Sequence, residues 1–194
     1  MNKVMEMQRK DDSPLFGLWV YLMTDGMLFA SLFATFAVLR NSTFGGPSGA
    51  ELFSLSFALL ETLILLTSSF TIGIAMWFAH QRDVRAVLFW VGLTFILGAL
   101  FLSMELQEFS HLVQEGQSWR QSAFLSSFFT LVGTHGLHII AGLVWCAFVV
   151  LQIMHKGLDG IRMKRLAMLA MFWHYLDVIW IFIFSIVYLL GGIT

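Results

Sequence analysis

The sequence predicts an all-α membrane protein. It reads as a bundle of five transmembrane helices with its N-terminus cytoplasmic and its C-terminus periplasmic. Three observations carry that reading. The chain is 58% hydrophobic and only 12% charged over 194 residues, with a mean hydropathy of +0.81, where a soluble domain carries about 25% charge to cover its surface. Five apolar runs are each long enough to cross a bilayer, which takes about 20 residues. Nine of the eleven Lys and Arg residues fall on one side of those runs.

The runs are expected at residues 15–39, 53–79, 84–106, 124–153 and 166–190. Residues 1–14 precede them as a polar cytoplasmic tail, and 15–192 form one transmembrane domain. Both prolines, Pro14 and Pro47, lie outside the runs, so each run is free to stay helical. The connection 40–52 reads as a loop, from Gly45-Gly46-Pro47-Ser48-Gly49. The remaining connections are 80–83, 107–123 and 154–165. Lys3, Arg9 and Lys10, then Arg82 and Arg85, then Lys156, Arg162, Lys164 and Arg165 all share one side, against Arg40 and Arg120 on the other. The positive-inside rule makes the first side cytoplasmic. Nothing in this charge pattern forms a nucleic-acid site. The one cysteine, Cys146, lies in an apolar run, reads as a small hydrophobe, and excludes an internal disulfide or a Cys-x-x-Cys-His haem attachment.

Polar residues inside the runs hold the functional information, because an ionisable side chain in hydrocarbon is expensive. His135 and His138, and His174 and Asp177, are pairs three residues apart, so each pair shares a helix face. Trp173 and Trp180 bracket the second pair. At about 1.5 Å per residue, Asp25 lies roughly 15 Å, His174 roughly 12 Å and His138 roughly 22 Å from the cytoplasmic side. Asp25 has no basic neighbour in its own run. Glu61 lies toward the outer half. Glu105 and Glu108, with His111, repeat at the end of the third run, where water is expected to reach them. Gly92, Gly98, Gly133, Gly136 and Gly142 allow helices to approach closely.

Four readings of these groups stay open on residue chemistry alone. They are interhelical hydrogen bonds that orient the bundle, a metal site, a proton pathway with Asp25 as its leading member, and contact with lipid headgroups or a partner chain. A di-metal carboxylate site calls for Glu-x-x-His on two helices, and only Glu108-x-x-His111 fits. An independent ion transporter is opposed by the lack of an inverted repeat or of matched broken helices.

Three motifs occurring together carry a family resemblance. Gly133-Thr-His-Gly-Leu-His-Ile139 resembles the histidine–glycine helix of haem–copper oxidase subunit III. Trp173-His-Tyr-Leu-Asp-Val-Ile-Trp180 resembles that family's final helix, and Glu108-Phe109 its Glu–aromatic pair. The order and spacing match across residues 15–192. The first run and the 41–49 loop look most like the bacterial cytochrome o ubiquinol oxidase branch, in a short five-helix form. The resemblance implies an accessory, non-catalytic chain without cofactor, in the bacterial inner membrane. Haem and copper are then expected in a large catalytic subunit I, with subunits II and IV and membrane lipids as further partners. It also implies that Asp25 stands where the seven-helix form has a buried glutamate linked to proton uptake near a lipid cleft. Glu108, His135, His138, His174, Asp177, Trp173 and Trp180 become structural or subunit-contact residues, with Glu61 and Glu105 as secondary candidates. A cytochrome c oxidase subunit III is the alternative within the family. The six histidines are too few at matching depth to hold two haems and a copper.

Overall fold

The computed structural model describes residues 2–40, 42, 55–114, 116, 120 and 122–190, with side chains from Pro14 onward. The 41–49 loop lies almost wholly outside the described residues. Five helices run in chain order: α1 (Asn2–Leu39), α2 (Leu55–His80), α3 (Val84–Gln114), α4 (Ala123–Lys156) and α5 (Gly160–Ile183), with a π-helical turn at Phe184–Leu189 continuing α5. All five hold a stretch long and apolar enough to span a membrane, as the lengths of the apolar runs predict.

Three bounds differ from the hydropathy edges by six residues or more. Helix α1 begins at Asn2, thirteen residues before its apolar run, so most of the polar 1–14 segment is helical. The other two have local reasons. Helix α3 runs on to Gln114, because residues 107–114 contain no Pro or Gly and a helix need not stop where hydrophobicity falls. It gives way near Gly116, at φ 83°, a left-handed backbone suited to glycine. Helix α5 starts at Gly160, because Asp159 Oδ1 accepts the N–H of Arg162 at 2.9 Å, an N-cap that fixes the start whatever the hydropathy. Ser122 caps α4 in the same way through Leu125 N at 3.1 Å. Asp83 turns the chain between α2 and α3 by accepting Arg85 N and Ala86 N.

Helices α2, α3, α4 and α5 form the packed body, α2 lying against α3 and α5, and α4 against α3 and α5. Helix α1 rests mainly on α4, with a smaller contact on α5. Only 22% of its apolar stretch is buried, against 56% for α5 with its π turn. The core is aromatic at its centre. Trp173 is nested between Gly98 of α3 and Gly142 of α4, where an added Cβ would stand 2.7 and 3.1 Å from its ring. Small residues thus admit the largest side chain, and Trp173 Nε1 donates to Ser68 Oγ at 3.0 Å. Trp180 packs edge-on to Phe101, 4.6 Å between ring centres, and donates to Thr62 Oγ1 at 3.1 Å. These two bonds tie α5 to α2 while satisfying both buried indole N–H groups.

Candidate functional site

The buried polar side chains gather into three groups. The first joins α1 to α4. Asp25 is buried on α1 and its Oδ1 lies 3.0 Å from His138 Nε2. The sequence placed His138 roughly 7 Å, little more than one turn, from Asp25 in depth, because hydropathy edges are not level planes, and this approach was not visible in it. His138 Nδ1 stands 2.7 Å from the Thr134 carbonyl oxygen. A carbonyl only accepts, so Nδ1 carries a hydrogen. The Nε2–Oδ1 contact must therefore hold a second proton, on the acid or on the ring, since a bare carboxylate facing a bare Nε2 lone pair would repel it. The pair is neutral either way, which is what a low-dielectric setting favours. Phe29, one turn beyond Asp25, covers the imidazole at 5.4 Å. The Tyr175 hydroxyl of α5 is in electrostatic contact with Asp25 and rests against Gly26.

The second group joins α2 to α5. His174 Nδ1 and Ser69 Oγ are 2.7 Å apart, and Ser69 also hydrogen-bonds the Asp177 carboxyl. Ser69 has a single hydrogen to give. A consistent chain runs from His174 Nδ1–H to Ser69 Oγ and from Ser69 O–H to Asp177, so one serine links the residues the sequence paired by spacing. His174 is exposed on the bundle's side, in a groove of about 400 Å³ with Phe70, Gly73 and Trp77.

The third group lies farther along, around Trp180. Glu61 of α2, and Glu105 and Glu108 of α3, interact electrostatically with one another. Tyr188, on the π turn, donates to Glu108 Oε2 at 2.8 Å. The wider turn changes which residues face inward, and sequence periodicity has no signal for it. The expectation that Glu105 and Glu108 sit at a wetted helix end is corrected. Helix α3 continues past both, Glu105 is buried, and Glu108 is partly buried. Gly136 faces Glu105 so closely that a Cβ there would stand 2.8 Å from Oε1. His135 is fully buried between Trp180 at 5.2 Å and Phe101 at 6.0 Å. Among the described residues neither of its ring nitrogens, nor either Glu61 oxygen, makes a hydrogen bond. His135 and His138 thus share a face but serve different groups.

Among the described residues no three His, Cys, Asp or Glu side chains converge on a metal position. What the arrangement offers chemically is hydrogen bonding between helices and the holding of protons at the Asp25–His138 contact.

The model of the cytochrome c oxidase subunit III family matches residues 10–192. The chain belongs to that family. Its relatives include the cytochrome bo(3) ubiquinol oxidase subunit 3 of Pseudomonas aeruginosa, 52% identical over 179 residues, covering 92% of this chain and 86% of that one. The cytochrome bo(3) ubiquinol oxidase subunit 3 of Buchnera aphidicola is 40% identical, covering 91% of each. The cytochrome c oxidase subunit 3 of Bacillus sp. (strain PS3) is 42% identical, covering 90% of this chain and 84% of that one. In this oxidase subunit III the three motifs read from the sequence fall on α3, α4 and α5, and their carboxylates, imidazoles and indoles belong to the interior groups described above.

Proposed function

We propose that the chain is the accessory third subunit of a proton-pumping bo-type ubiquinol oxidase of the bacterial inner membrane, an oxidoreductase complex in which this subunit is not the catalyst. The observation that carries the reading is similarity over nine tenths of the chain to subunits of that name. Identity to them, at 52 and 53%, exceeds the 42% to a cytochrome c oxidase subunit 3, which favours quinol as the complex's electron donor. Haem and copper belong to a large subunit I in this reading, with subunits II and IV alongside. The charge asymmetry supports a cytoplasmic N-terminus.

Asp25 and His138 form the proton-path or lipid-cleft element. One proton sits between two atoms that can each hold it, on a helix with much of its surface free for lipid or a neighbouring subunit. Ser69, His174, Asp177 and the indoles of Trp173 and Trp180 lock α5 to α2 and fix the face offered to partners. Glu108, through Tyr188, anchors the end of α5 to α3, with Glu61, Glu105 and His135 beside it.

The test is to purify the tagged chain in mild detergent and record a visible spectrum and a gel. Haem bands with a large co-purifying subunit are expected. A colourless, stable, solitary five-helix protein would overturn the reading.

A further inference from the structure

The basic end of the bundle carries a cavity outside the three polar groups described above. It has a volume of about 520 Å³ and opens between the end of α4 and the start of α5. Lys156, Arg162 and Arg165 line it, with His155 beside them and Asp159 as its one acid. The arginines are held in place rather than free. Arg162 Nη1 donates to the carbonyls of Lys156 and Gly157, at 2.7 Å each, and Nη2 pairs with Asp159 Oδ2 at 3.2 Å. Arg165 Nη1 donates to Gln152 Oε1 at 2.5 Å. Gly157, at φ 72°, makes the tight exit from α4 that brings Lys156 near Arg162. Asp159 offsets one cation, so the cavity keeps a net positive charge, and the N-terminus of α5 adds its dipole in the same sense.

The other walls are apolar. Phe148, Leu151 and Ile161 line the same cavity and are all well exposed. From it an exposed apolar stripe runs along α4 through Val144, Ile140 and Leu137, at the three-to-four-residue spacing of one helix face. A cationic cavity continued by an apolar track along a membrane-crossing helix matches one molecule with an anionic head and an acyl chain.

We propose that this cavity is a binding site for an anionic phospholipid. The phosphodiester lies against Lys156 and Arg165 and the N-terminus of α5, and an acyl chain lies along Phe148, Leu151 and Val144. Basic pockets between helices on this side of a membrane favour such headgroups, each cation contributing roughly a fivefold change in affinity. The site lies on α4 and α5, away from Asp25.

The test uses the intact complex in phosphatidylcholine nanodiscs containing a small fraction of photoreactive phosphatidylglycerol, with crosslinked peptides mapped by mass spectrometry. Crosslinks to residues 148–161 are expected, competed by plain phosphatidylglycerol and not by added phosphatidylcholine or inorganic phosphate. The double variant Lys156→Gln/Arg165→Gln keeps the Arg162–Asp159 turn and should lower the yield about 30-fold at limiting lipid. The visible spectrum of the complex reports that it is intact. Equal crosslinking by a photoreactive phosphatidylcholine overturns the proposal. So does competition by inorganic phosphate, which would mark a free-phosphate site, or labelling found on a neighbouring subunit with none on residues 148–161. None of these outcomes bears on membership of the oxidase, which the co-purification experiment decides.

Discussion

Substituting Asp25 separates a proton role from a structural one, because the geometry of its partner is known. His138 Nε2 lies 3.0 Å from Asp25 Oδ1, and its Nδ1 hydrogen is committed to the Thr134 carbonyl. In Asp25→Asn the amide N–H can donate to Nε2 at the same distance, so the hydrogen bond survives and the exchangeable proton of the acid is lost. The expected cost in stability is under about 1 kcal/mol, in line with the roughly 0.6 kcal/mol that interhelical hydrogen bonds average in membranes. Asp25→Leu instead leaves a buried imidazole nitrogen without a partner, at about 1–3 kcal/mol. That loss falls on α1, the least buried helix, so α1 docking should weaken first. The assay is the complex purified from both variants, measured for retained subunit, proton uptake and survival through sustained turnover. The expected result is full assembly of Asp25→Asn with slower proton uptake or earlier turnover failure, and partial loss of the subunit in Asp25→Leu. Full assembly of Asp25→Asn with unchanged uptake and turnover survival would refute the proton role. Failure of Asp25→Asn to assemble while His138→Ala assembles would refute the pairing itself.

Other perturbations test the packing and the remaining polar links. Gly98→Ala puts a Cβ 2.7 Å from Trp173 Cη2 and Cζ2, an overpacking cost of about 1–3 kcal/mol. Trp173→Phe removes both clashing atoms, so a double-mutant cycle on thermal denaturation of the complex should show coupling of about 1 kcal/mol, and additive effects would contradict the nesting. Tyr188→Phe removes the bond to Glu108 and should cost about 1 kcal/mol, seen as faster hydrogen exchange in residues 184–190. His174→Ala and Asp177→Ala should weaken assembly without abolishing oxygen reduction, and fully assembled complexes that have lost oxygen reduction would contradict their structural role. The Arg162 N–H, and then its guanidinium, hold the exposed Asp159 carboxyl below its ordinary range. The cap is then complete above the ordinary carboxylate pKa and is lost as pH falls through the depressed one. Asp159→Ala should accelerate proteolysis of the 154–160 turn at neutral pH and make no difference in strong acid.

The five spans were legible because hydrocarbon imposes one simple requirement, a long apolar helix, and α1, α2, α3, α4 and α5 each meet it, with Pro14 at the first residue of the α1 stretch as the one proline they contain. Helix ends were less legible wherever they are set by a cap rather than by polarity. Asp159 starts α5 six residues before its hydropathy edge, and Glu105, at the very end of the 84–106 run, is buried because α3 continues past it. Site residues were recognisable one by one, since a carboxylate or imidazole in an apolar run stands out against its neighbours. Their partners were not. The i, i+3 rule correctly placed His135 and His138 on one face, but a face spans enough arc for one ring to meet Asp25 of α1 and the other to lie beside Trp180 of α5. Likewise His174 and Asp177 meet through Ser69, a residue of an ordinary type in the middle of α2. The π turn that lets Tyr188 reach Glu108 has no counterpart in a 3.6-residue pattern.

The distribution of these groups is itself an argument about how the subunit works. Most polar links between helices in the packed body end on α5 or its π turn; the others tie α2 to α3 through Thr71 and Thr94 at 2.8 Å and α4 to α3 through Cys146 Sγ, which donates to the Val91 carbonyl at 4.0 Å. Those links orient a rigid unit of four helices. Helix α1 is joined differently, through the acid–imidazole contact, the Tyr175 hydroxyl beside Asp25, and the aromatic contacts of Tyr21, Phe29, Phe33 and Phe36. An apolar interface holds a helix in place but does not depend on protonation, whereas the Asp25–His138 contact does. If both groups lost their shared proton, a carboxylate and a lone pair would face each other in a dry interface, and α1 would move or water would enter. Under the proton-path reading proposed above, the contact passes a proton only as fast as it is refilled, a coupling of local hydration to proton traffic that a purely structural hydrogen bond would not have.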